Sequence, residues 1–438
     1  MNLLLVDRGG DFLDFALRCE AAGHVVKWFI APKKNGERQT IGDGFGLRVT
    51  DYQSHMKWAD LVLVSDNTWY MEELYGYRRK GFPVMSPSPD AAALELTRGA
   101  GQESFLRGGL AVMPSQEFKS LDDAINVVSS SPKRYVSKPD GDADKALSYV
   151  SQSPRDMLSM LIRWKRLKKG AKRFILQEFV PGIEMAVGGW FGPGGFNQWV
   201  LENFEFKKLM NDNLGCNTGE QGTVIKYVKK EDSKLFQETL AKVEDQLHRL
   251  DYCGFVDIAV IVDKNGEARP LEYTMRLGWP CFQIQQALHR EPAEFLLDLL
   301  HGRDTFRPYT DIAVGVVLTI PDFPYSNLTN KEVSGYPVYN LDDNNPYRDD
   351  LHPCSLKMGE GPDNKGVMRR MMVSAGDYIL VGTGTGKTVE RAKHAAYQAV
   401  ESVEVPNSKG YRTDIGDRLE KELSILHRQG YAGEFEWN

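Results

Sequence analysis

The sequence lacks several features that would assign a function directly. None of its apolar runs reaches the roughly 20 residues that a membrane-spanning helix needs. Its 5 cysteines are scattered and form no C-x-x-C pair, which argues against a disulfide framework or a structural zinc site and favours a reducing cytoplasm. Its 8 histidines form no close pair, so neither a histidine metal site nor a nucleophilic triad has support.

A strong charge of either sign is also missing. The 54 lysines and arginines nearly balance the 60 aspartates and glutamates, which leaves a net charge of −6. This balance argues against a protein built mainly to coat nucleic acid. The 438 residues are 42% hydrophobic and 26% charged, which is typical of a globular protein with about two to four domains.

The N-terminal part alternates short apolar strands with helical spacing. Strands are predicted at Asn2–Val6, His24–Ile30 and Ala59–Ser65, and a helix at Phe12–Ala22. This alternation predicts an open α/β sheet. The Gly-x-Gly-x-x-Gly fingerprint of a dinucleotide site is missing, because Asp7 stands where its first glycine would be.

From Lys133 onward, strands with alternating faces dominate, which predicts an α+β arrangement. The predicted strands are Arg134–Lys138, Phe174–Phe179, Met185–Trp190, Asn197–Phe206, Gly254–Val262, Ala268–Tyr273, Ala313–Ile320 and Asp377–Val381. The predicted helices are Ser153–Leu167, Ser233–Leu250 and Thr388–Val403. Residues 382–388 resemble a phosphate loop, but Val381 stands where its first glycine is required, so a turn into the last helix is predicted instead.

Three features favour a site for ATP. Lys138 lies on a strand and is followed by a polar loop that reaches Lys145, and such a pattern suits phosphate. The strand edge at 176–184 suits adenine, with the backbone of Phe179 and Val180 and the carboxylates of Glu178 and Glu184 as candidate contacts. The third feature is a pair of carboxylates, Glu272 and Asp257, on neighbouring predicted strands, which is the type of ligand that Mg²⁺ prefers.

Longer motifs point to a known family. Residues 207–222, KKLMNDNLGCNTGEQG, align without a gap to K-R-x-x-D-x-D-x-G-P-N-T-G-G-M-G. Residues 271–280, LEYTMRLGWP, match L-E-F-N-V-R-F-G-D-P, and residues 411–416, YRTDIG, match Y-R-x-D-I-G. The chain therefore resembles the ATP-grasp superfamily and, within it, the phosphoribosylamine–glycine ligase family, nearly from end to end.

The resemblance implies an ATP-dependent ligation in which a carboxylate, glycine or another amino acid, becomes an acyl phosphate and is passed to an amine. It implies phosphate contacts by Arg98, Lys138 and Lys145, and a substrate carboxylate held by Arg276. Lys207 and Asn217 are implied catalytic residues. The implied cofactors are ATP and Mg²⁺ or Mn²⁺, with Glu272, Asp257 and Thr274 as metal ligands.

The resemblance also implies three domains. Residues 1–95 would form an α/β domain that precedes the ATP-grasp domain, residues 96–308 the ATP-grasp domain with a mobile lobe at about 115–190, and residues 309–438 a small C-terminal domain. Small molecules are the expected partners, no membrane contact is expected, and a monomer and a dimer both remain open.

Because the sequence departs from the family pattern in several places, two alternative functions remain open. The N-terminal loops differ, with DRGGDFLD at 7–14 and DNTWY at 66–70, and residues 163–173 are strongly basic. These features favour an amino-acid ligase that acts on a modified nucleotide or on an amine of a nucleic acid. Thr274 replaces the family's metal-binding asparagine and the phosphate loop has fewer glycines, which favours a catalytically silent nucleotide-binding protein.

Overall fold

The N-terminal layer is a parallel four-stranded sheet of order β2-β1-β3-β4. The computed structural model describes residues 1–140, 147–170, 173–325 and 330–438. The layer consists of β1 (Asn2–Asp7), α1 (Leu13–Ala21), β2 (Val25–Ile30), β3 (Leu61–Val64), α2 (Met71–Arg79), β4 (Val84–Met85) and α3 (Pro89–Leu96). Its strands are continuous apolar runs because helices and loops cover both faces of a parallel sheet. The predicted α/β arrangement is confirmed.

The next segment forms a small antiparallel sheet of order β5-β8-β6-β7. Its elements are α4 (Arg98–Arg107), β5 (Ser115–Phe118), α5 (Leu121–Ser129), β6 (Tyr135–Pro139), β7 (Tyr149–Val150), α6 (Pro154–Arg166) and β8 (Phe174–Glu178). Apolar residues of α5 and α6, such as Val128 and Leu161, pack on this sheet and give it a core of its own.

A larger antiparallel sheet forms the body of the molecule, with the order β15-β14-β9-β10-β13-β16-β20-β17. The elements from 182 to 300 are β9 (Gly182–Gly192), β10 (Gly195–Glu205), β11 (Lys208–Met210), β12 (Leu214–Asn217), β13 (Gly222–Lys229), α7 (Lys234–Glu238), α8 (Leu240–Arg249), β14 (Gly254–Asp263), β15 (Ala268–Thr274), α9 (Cys281–Gln286) and α10 (Glu294–Leu300). The short strands β11 and β12 form a separate hairpin.

The C-terminal part continues this sheet. Its elements are β16 (Ile312–Thr319), α11 (Asn330–Val333), β17 (Leu351–Pro353), β18 (Leu356–Pro362), β19 (Met368–Ser374), β20 (Tyr378–Gly386), α12 (Val389–Ser402) and α13 (Leu419–Arg428). Because β16 pairs with β13, hydrogen bonds of one sheet cross the predicted domain boundary at 308/309. The division into three domains stays a prediction.

The predicted helix Ser233–Leu250 is wrong in one respect, because it is two helices. Thr239 lies between α7 and α8 with φ −127° and ψ −85°, which is outside the helical region. Its hydroxyl donates to the carbonyl of Leu235 at 2.6 Å. A threonine that bonds back to the preceding turn commonly bends or ends a helix.

The predicted turn at 382–388 is also wrong, because Gly382, Gly384 and Gly386 belong to β20. A Cβ atom at Gly384 would lie 2.2 Å from the backbone nitrogen of Ala396 in α12. These glycines therefore let the helix pack directly on the strand. The helix α13, which follows α12, was not predicted from the sequence.

No helix in the described part of the chain is long and apolar enough to cross a membrane. The cysteines are all free, and only Cys216 is exposed.

A buried histidine joins the N-terminal layer to the C-terminal part. The imidazole Nδ1 of His352 lies 2.8 Å from Oδ2 of Asp14 in α1, and its Nε2 lies 2.9 Å from the hydroxyl of Thr383 in β20. Burial, together with the charge of Arg18, lowers the pKa of His352 even though Asp14 acts in the opposite direction.

This burial predicts an acid-sensitive stability. Below about pH 6.5 the unfolded chain takes up more of a proton at His352 than the folded protein does, so this group alone lowers the free energy of unfolding by up to about 1.4 kcal/mol per pH unit. Urea unfolding at pH 7, 6 and 5 measures this slope. His352→Gln should reduce it, whereas His301→Gln, at an exposed position, should not. Equal slopes in both variants would contradict the assignment.

Candidate active site

A cleft of about 410 Å³ lies between the small sheet and the large sheet. Strands β6 and β8 supply one wall, and β9, β10 and β15 the other. The predicted site residues that line it are Lys138, Glu178, Phe179, Val180, Glu184, Lys207, Asn217 and Glu272. Lys138 and Glu272 thus face one cleft between two sheets, as the motif order predicts. Of the other two phosphate candidates, Arg98 is not a lining residue but donates to Glu272, and Lys145 lies outside the described residues.

The register of the large sheet decides which side chains share its cleft face. Paired residues of neighbouring strands point to the same side, and so do residues two apart along a strand. The face carries Glu272 and Thr274 on β15, Asp257 and Ala259 on β14, Ala186 and Gly188 on β9, and Asn203 and Glu205 on β10. Gly188 makes room for its neighbours on this face, because a Cβ atom there would lie 2.3 Å from the ring of Phe255 and 2.9 Å from Oδ2 of Asp257.

Cations surround the carboxylate of Glu272. Nη1 of Arg98 donates to its Oε2 at 2.6 Å, and Nζ of Lys138 donates to the adjacent carbonyl of Leu271 at 3.0 Å. Burial alone would raise the pKa of Glu272, but the charges of Arg98, Lys138 and Lys207 outweigh it and hold the pKa at about 2. Burial lowers the pKa of Lys138 to about 8, with Glu272 acting in the opposite direction. Glu272 is therefore ionised at neutral pH.

Lys207 holds a second positive charge in the cleft. Its Nζ lies 2.7 Å from Oε1 of Glu184 and 2.7 Å from Oε2 of Glu205. Burial would lower its pKa, but the two carboxylates raise it well above the ordinary value. Lys207 is therefore charged, and Glu184 lines the cleft while it holds this ammonium group in place.

The oxygen atoms near Asp257 fit a hard cation. Burial and the charge of Glu205 raise the pKa of Asp257 to about 7, although Asn203 donates to its Oδ2 at 2.9 Å. Oδ1 of Asn203 and Oε1 of Glu220 are buried acceptors without a hydrogen-bond partner among the described residues. Magnesium usually takes one or two protein carboxylates and completes its shell with phosphates and water. Within the described ranges, no group of three or more His, Cys, Asp or Glu side chains forms a metal site.

Arg276 lies beyond the cleft, where the large sheet meets the N-terminal layer. Its Nε donates to Oε1 of Glu95 at 3.1 Å. The other oxygen of Glu95 accepts from the backbone of Met275 at 2.7 Å and from the amide of Asn67 at 2.8 Å. Glu95 raises the pKa of Arg276, which burial alone would lower. The guanidinium group is thus fixed by a residue of α3.

The hairpin of β11 and β12 is anchored to the C-terminal part by a buried arginine. Arg412 binds both carboxylate oxygens of Asp414, at 2.8 and 2.7 Å. It also donates to the carbonyl of Lys208 at 3.0 Å and to Oδ1 of Asn213 at 3.1 Å. The motif at 411–416 therefore holds the motif at 207–222 in place.

Removal of the Arg412 side chain should lower the free energy of unfolding substantially. Arg412→Ala removes the donor to Asp414 and to two further acceptors, although the N–H of Asp212 still donates to Asp414 at 2.9 Å. Because the arginine is buried and the carboxylate is only partly so, we expect a loss of about 3 kcal/mol, the lower end of the cost of breaking a buried pair. Urea unfolding measures the loss. Arg369→Ala removes an arginine from an exposed pair with Asp363 and should cost less than about 1 kcal/mol. If both variants lose the same small amount of unfolding free energy, the contacts of Arg412 contribute little to stability.

Sequence reasoning missed several charged residues of the cleft, namely Glu205, Arg418 and Glu422 on its lining and Glu220 close by. Nη2 of Arg418 donates to the carbonyl of Glu184 at 3.1 Å, across more than two hundred positions of sequence. Alternation along β10 puts Glu205 on the same face as Asn203, but no signal in the sequence singled out Asn203, so neither residue could be assigned to the cleft in advance.

Comparison with solved structures identifies the architecture. A phosphoribosylamine–glycine ligase from Thermotoga maritima superposes with a TM-score of 0.71 at 19% identity, covering 95% of this chain and 100% of that chain. The chain has the ATP-grasp fold. An L-amino acid ligase from Bacillus licheniformis gives a TM-score of 0.57 at 13% identity, covering 93% and 98%.

The ATP-grasp chain also has relatives in sequence. It is 22% identical to a phosphoribosylamine–glycine ligase from Haemophilus influenzae over 448 aligned positions, which cover 97% of this chain and all of the relative. No protein-family model matches the chain. The similarity therefore extends over the whole length, as the motif order predicts.

Proposed function

We propose that this protein is an ATP-dependent carbon–nitrogen ligase. It activates glycine or another small amino acid as an acyl phosphate and transfers the acyl group to an amine. The observation that carries the proposal is the cleft in which Lys138, Lys207 and Glu272 meet between two sheets. The full-length similarity to phosphoribosylamine–glycine ligase and the likeness in fold to an L-amino acid ligase support the same chemistry.

The nucleotide lies along the cleft from β8 to β15 in this proposal. Adenine binds at Glu178, Phe179 and Val180, where the N–H of Phe179 is already used by the carbonyl of Arg134 at 2.9 Å. The backbone of Val180 is therefore the group that forms hydrogen bonds with adenine. Lys138 and Arg98 bind the phosphates, since cations must neutralise the charge that moves during phosphoryl transfer.

Glu272 and Asp257 would hold Mg²⁺, which supplies charge neutralisation at the phosphates when it is bound. Thr274 shares their face of the sheet and is the weaker candidate ligand, because a neutral hydroxyl replaces an amide oxygen there. Lys207 places a fixed positive charge beside the γ-phosphate. Asn217, which lines the cleft at the end of the hairpin, orients the reacting carboxylate.

The reaction proceeds in two steps that conserve atoms. An oxygen of the substrate carboxylate attacks the γ-phosphorus, the bond to the bridging oxygen of ADP breaks, and an acyl phosphate forms. The amine nitrogen then attacks the acyl carbon and gives up one proton, and phosphate leaves with one oxygen of the original carboxylate and takes that proton. Arg276 holds the substrate carboxylate and then the acyl phosphate, because a guanidinium group can donate two parallel hydrogen bonds to two oxygen atoms of either anion.

Hydroxylamine can replace the natural amine, so it tests formation of the acyl phosphate without any assumption about the acceptor. With ATP, Mg²⁺ and glycine, this small nucleophile should trap the acyl phosphate as glycine hydroxamate, in equal amount to the ADP released. Omission of glycine should abolish both products. ADP release that does not depend on an amino acid, or the absence of hydroxamate with any amino acid, would contradict the proposal.

A further inference from the structure

A second cavity, of about 330 Å³, lies where α1 meets the C-terminal part. Its walls are α1, the end of α9 with the loop that follows it, β17 with the loop ahead of it, and β19. Among the described residues, none lines both this cavity and the ATP cleft. Its volume lies at the lower end of the range for ligand pockets, about 300 to 1,000 Å³, so the cavity suits a small molecule.

Apolar side chains form a continuous part of the cavity wall. They come from all of its walls and are Leu17, Pro292, Leu341, Leu351 and Met372. Leu351 is buried, whereas the other four are only partly buried and leave apolar surface in contact with solvent. Covering such surface is favourable, so the cavity suits a ligand with an apolar body.

The charged side chains of the cavity leave an excess of one positive charge. The lining includes three arginines and two aspartates, namely Arg18, Arg290, Arg348, Asp14 and Asp349. His289 also lines the cavity but is neutral at pH 7, because burial lowers its pKa to about 3. The charge of the lining therefore favours an anionic ligand over a cationic one.

Arg18 is held in a fixed orientation at the cavity wall. Its Nε donates to Oδ1 of Asp14 at 2.8 Å, and its Nη2 donates to the carbonyl of Asp349 at 2.8 Å. Its Nη1 has no hydrogen-bond partner among the described residues. Asp14 compensates the charge of Arg18, but the free Nη1 can still donate to a ligand oxygen from a defined position.

Arg290 supplies the uncompensated positive charge. Its guanidinium group lies 4.3 Å from the centroid of the Tyr309 ring and forms no ion pair with a carboxylate in the described part of the chain. Arg348, in contrast, pairs with Asp343 at 2.9 Å. An arginine that stacks on an aromatic ring keeps the N–H groups at its edge available for an anion.

The amide of Gln286 adds a hydrogen-bond acceptor to the cavity wall. Gln286 is only 5% exposed and lines the cavity. Its Nε2 donates to the carbonyl of Phe282 at 3.4 Å. Its Oε1 has no partner among the described residues but, unlike Oε1 of Gln283, retains accessible surface that a ligand can reach. An N–H group of the ligand would satisfy this oxygen.

We propose that this cavity binds a small organic carboxylate that has an apolar body and an N–H group. The carboxylate contacts Arg290 and Nη1 of Arg18, the apolar body covers the leucines of the wall, and the N–H group donates to Gln286. Because the lining has an excess of only one positive charge, a monoanion fits better than a phosphate ester with a charge of about −1.5 to −2. The inference does not depend on the ligase proposal, since the cavity and the ATP cleft share no residue.

Indole-3-acetate has all three features, and indole-3-acetamide is its neutral counterpart of the same shape. Titration of the intact protein by calorimetry should show one saturable site for indole-3-acetate, bound at least tenfold more tightly than the amide. Equal affinities for the two compounds, or no saturable binding of indole-3-acetate, would overturn the inference.

Two variants locate the bound carboxylate in this cavity. Arg290→Gln should weaken the binding of indole-3-acetate at least tenfold, whereas Arg303→Gln, at an exposed arginine that pairs with Asp298 outside the cavity, should change it less than twofold. Ala21→Phe places a ring in the cavity from an exposed position of α1 and should also weaken binding at least tenfold. Unchanged binding in Arg290→Gln and Ala21→Phe would reject the assignment.

Competition separates this cavity from the proposed substrate site. Glycine is expected at Arg276, so excess glycine should change the affinity for indole-3-acetate less than twofold. Displacement of indole-3-acetate by glycine would place it at the substrate site and reject the inference. Absence of hydroxamate in the turnover assay would reject the ligase proposal alone, because the binding comparison requires no turnover.

Discussion

Glu272→Gln should lower kcat/KM about a thousandfold, the loss expected when a group that stabilises transferring charge is removed. The carboxylate lies 2.6 Å from Arg98 and its pKa of about 2 keeps it ionised throughout the working pH range. A neutral amide of the same shape removes the metal ligand and leaves Arg98, Lys138 and Lys207 without their central counter-charge. ADP release with glycine and hydroxylamine measures the loss.

The matched control for this variant lies on the same hairpin. Glu267 is exposed at the turn before β15 and pairs with Arg269, so Glu267→Gln should leave turnover within twofold. Because the two variants carry the same chemical change, a comparable loss in both would indicate a general effect of charge. Retention of more than a tenth of the activity in Glu272→Gln would contradict its role at the phosphates.

Arg276→Ala should lower kcat by a factor of about a hundred to a thousand, because the acyl phosphate loses its bidentate partner. The same substitution should also affect stability. Glu95 loses its ion partner at 3.1 Å, although Met275 and Asn67 still donate to it. The alanine variant should therefore also unfold at a lower urea concentration.

Arg276→Lys distinguishes the two effects. An ammonium group can stay beside Glu95 and should recover most of the stability, but it cannot form the two parallel hydrogen bonds of a guanidinium group. We expect kcat to remain at least tenfold below that of the unmodified protein. Recovery of both stability and kcat would show that Arg276 acts only as a structural cation.

The sequence predicted those parts of the site that lie on strands with recognisable motifs. Lys138 and Glu272 lie on strands that the sequence predicted, because each belongs to a short apolar stretch whose ends are marked by turn residues. Their roles at the phosphates and the metal stay predictions. The sequence predicted Asp257 and Glu272 on neighbouring strands, and the observed register adds that they share one face of the sheet. Local patterns of this kind depend only on neighbours in sequence.

Contacts between distant segments could not be predicted in the same way. Arg418 reaches the carbonyl of Glu184, and Arg412 holds the hairpin at 208–217, only because the chain returns to the sheet after β16. The break at Thr239 depends on one hydroxyl bond to Leu235, which a helical pattern does not reveal. The backbone of Glu220 is likewise held by a distant residue, because the hydroxyl of Tyr378 donates to its carbonyl.

Isotope transfer tests the central claim most directly. Glycine labelled with ¹⁸O in its carboxylate is turned over with ATP, Mg²⁺ and hydroxylamine, and the released phosphate is analysed by mass spectrometry. An acyl-phosphate intermediate predicts one ¹⁸O atom in each phosphate, transferred from the carboxylate. Unlabelled phosphate would show that the γ-phosphoryl group went to water instead, and would contradict the account of a cleft that joins ATP to an organic acid.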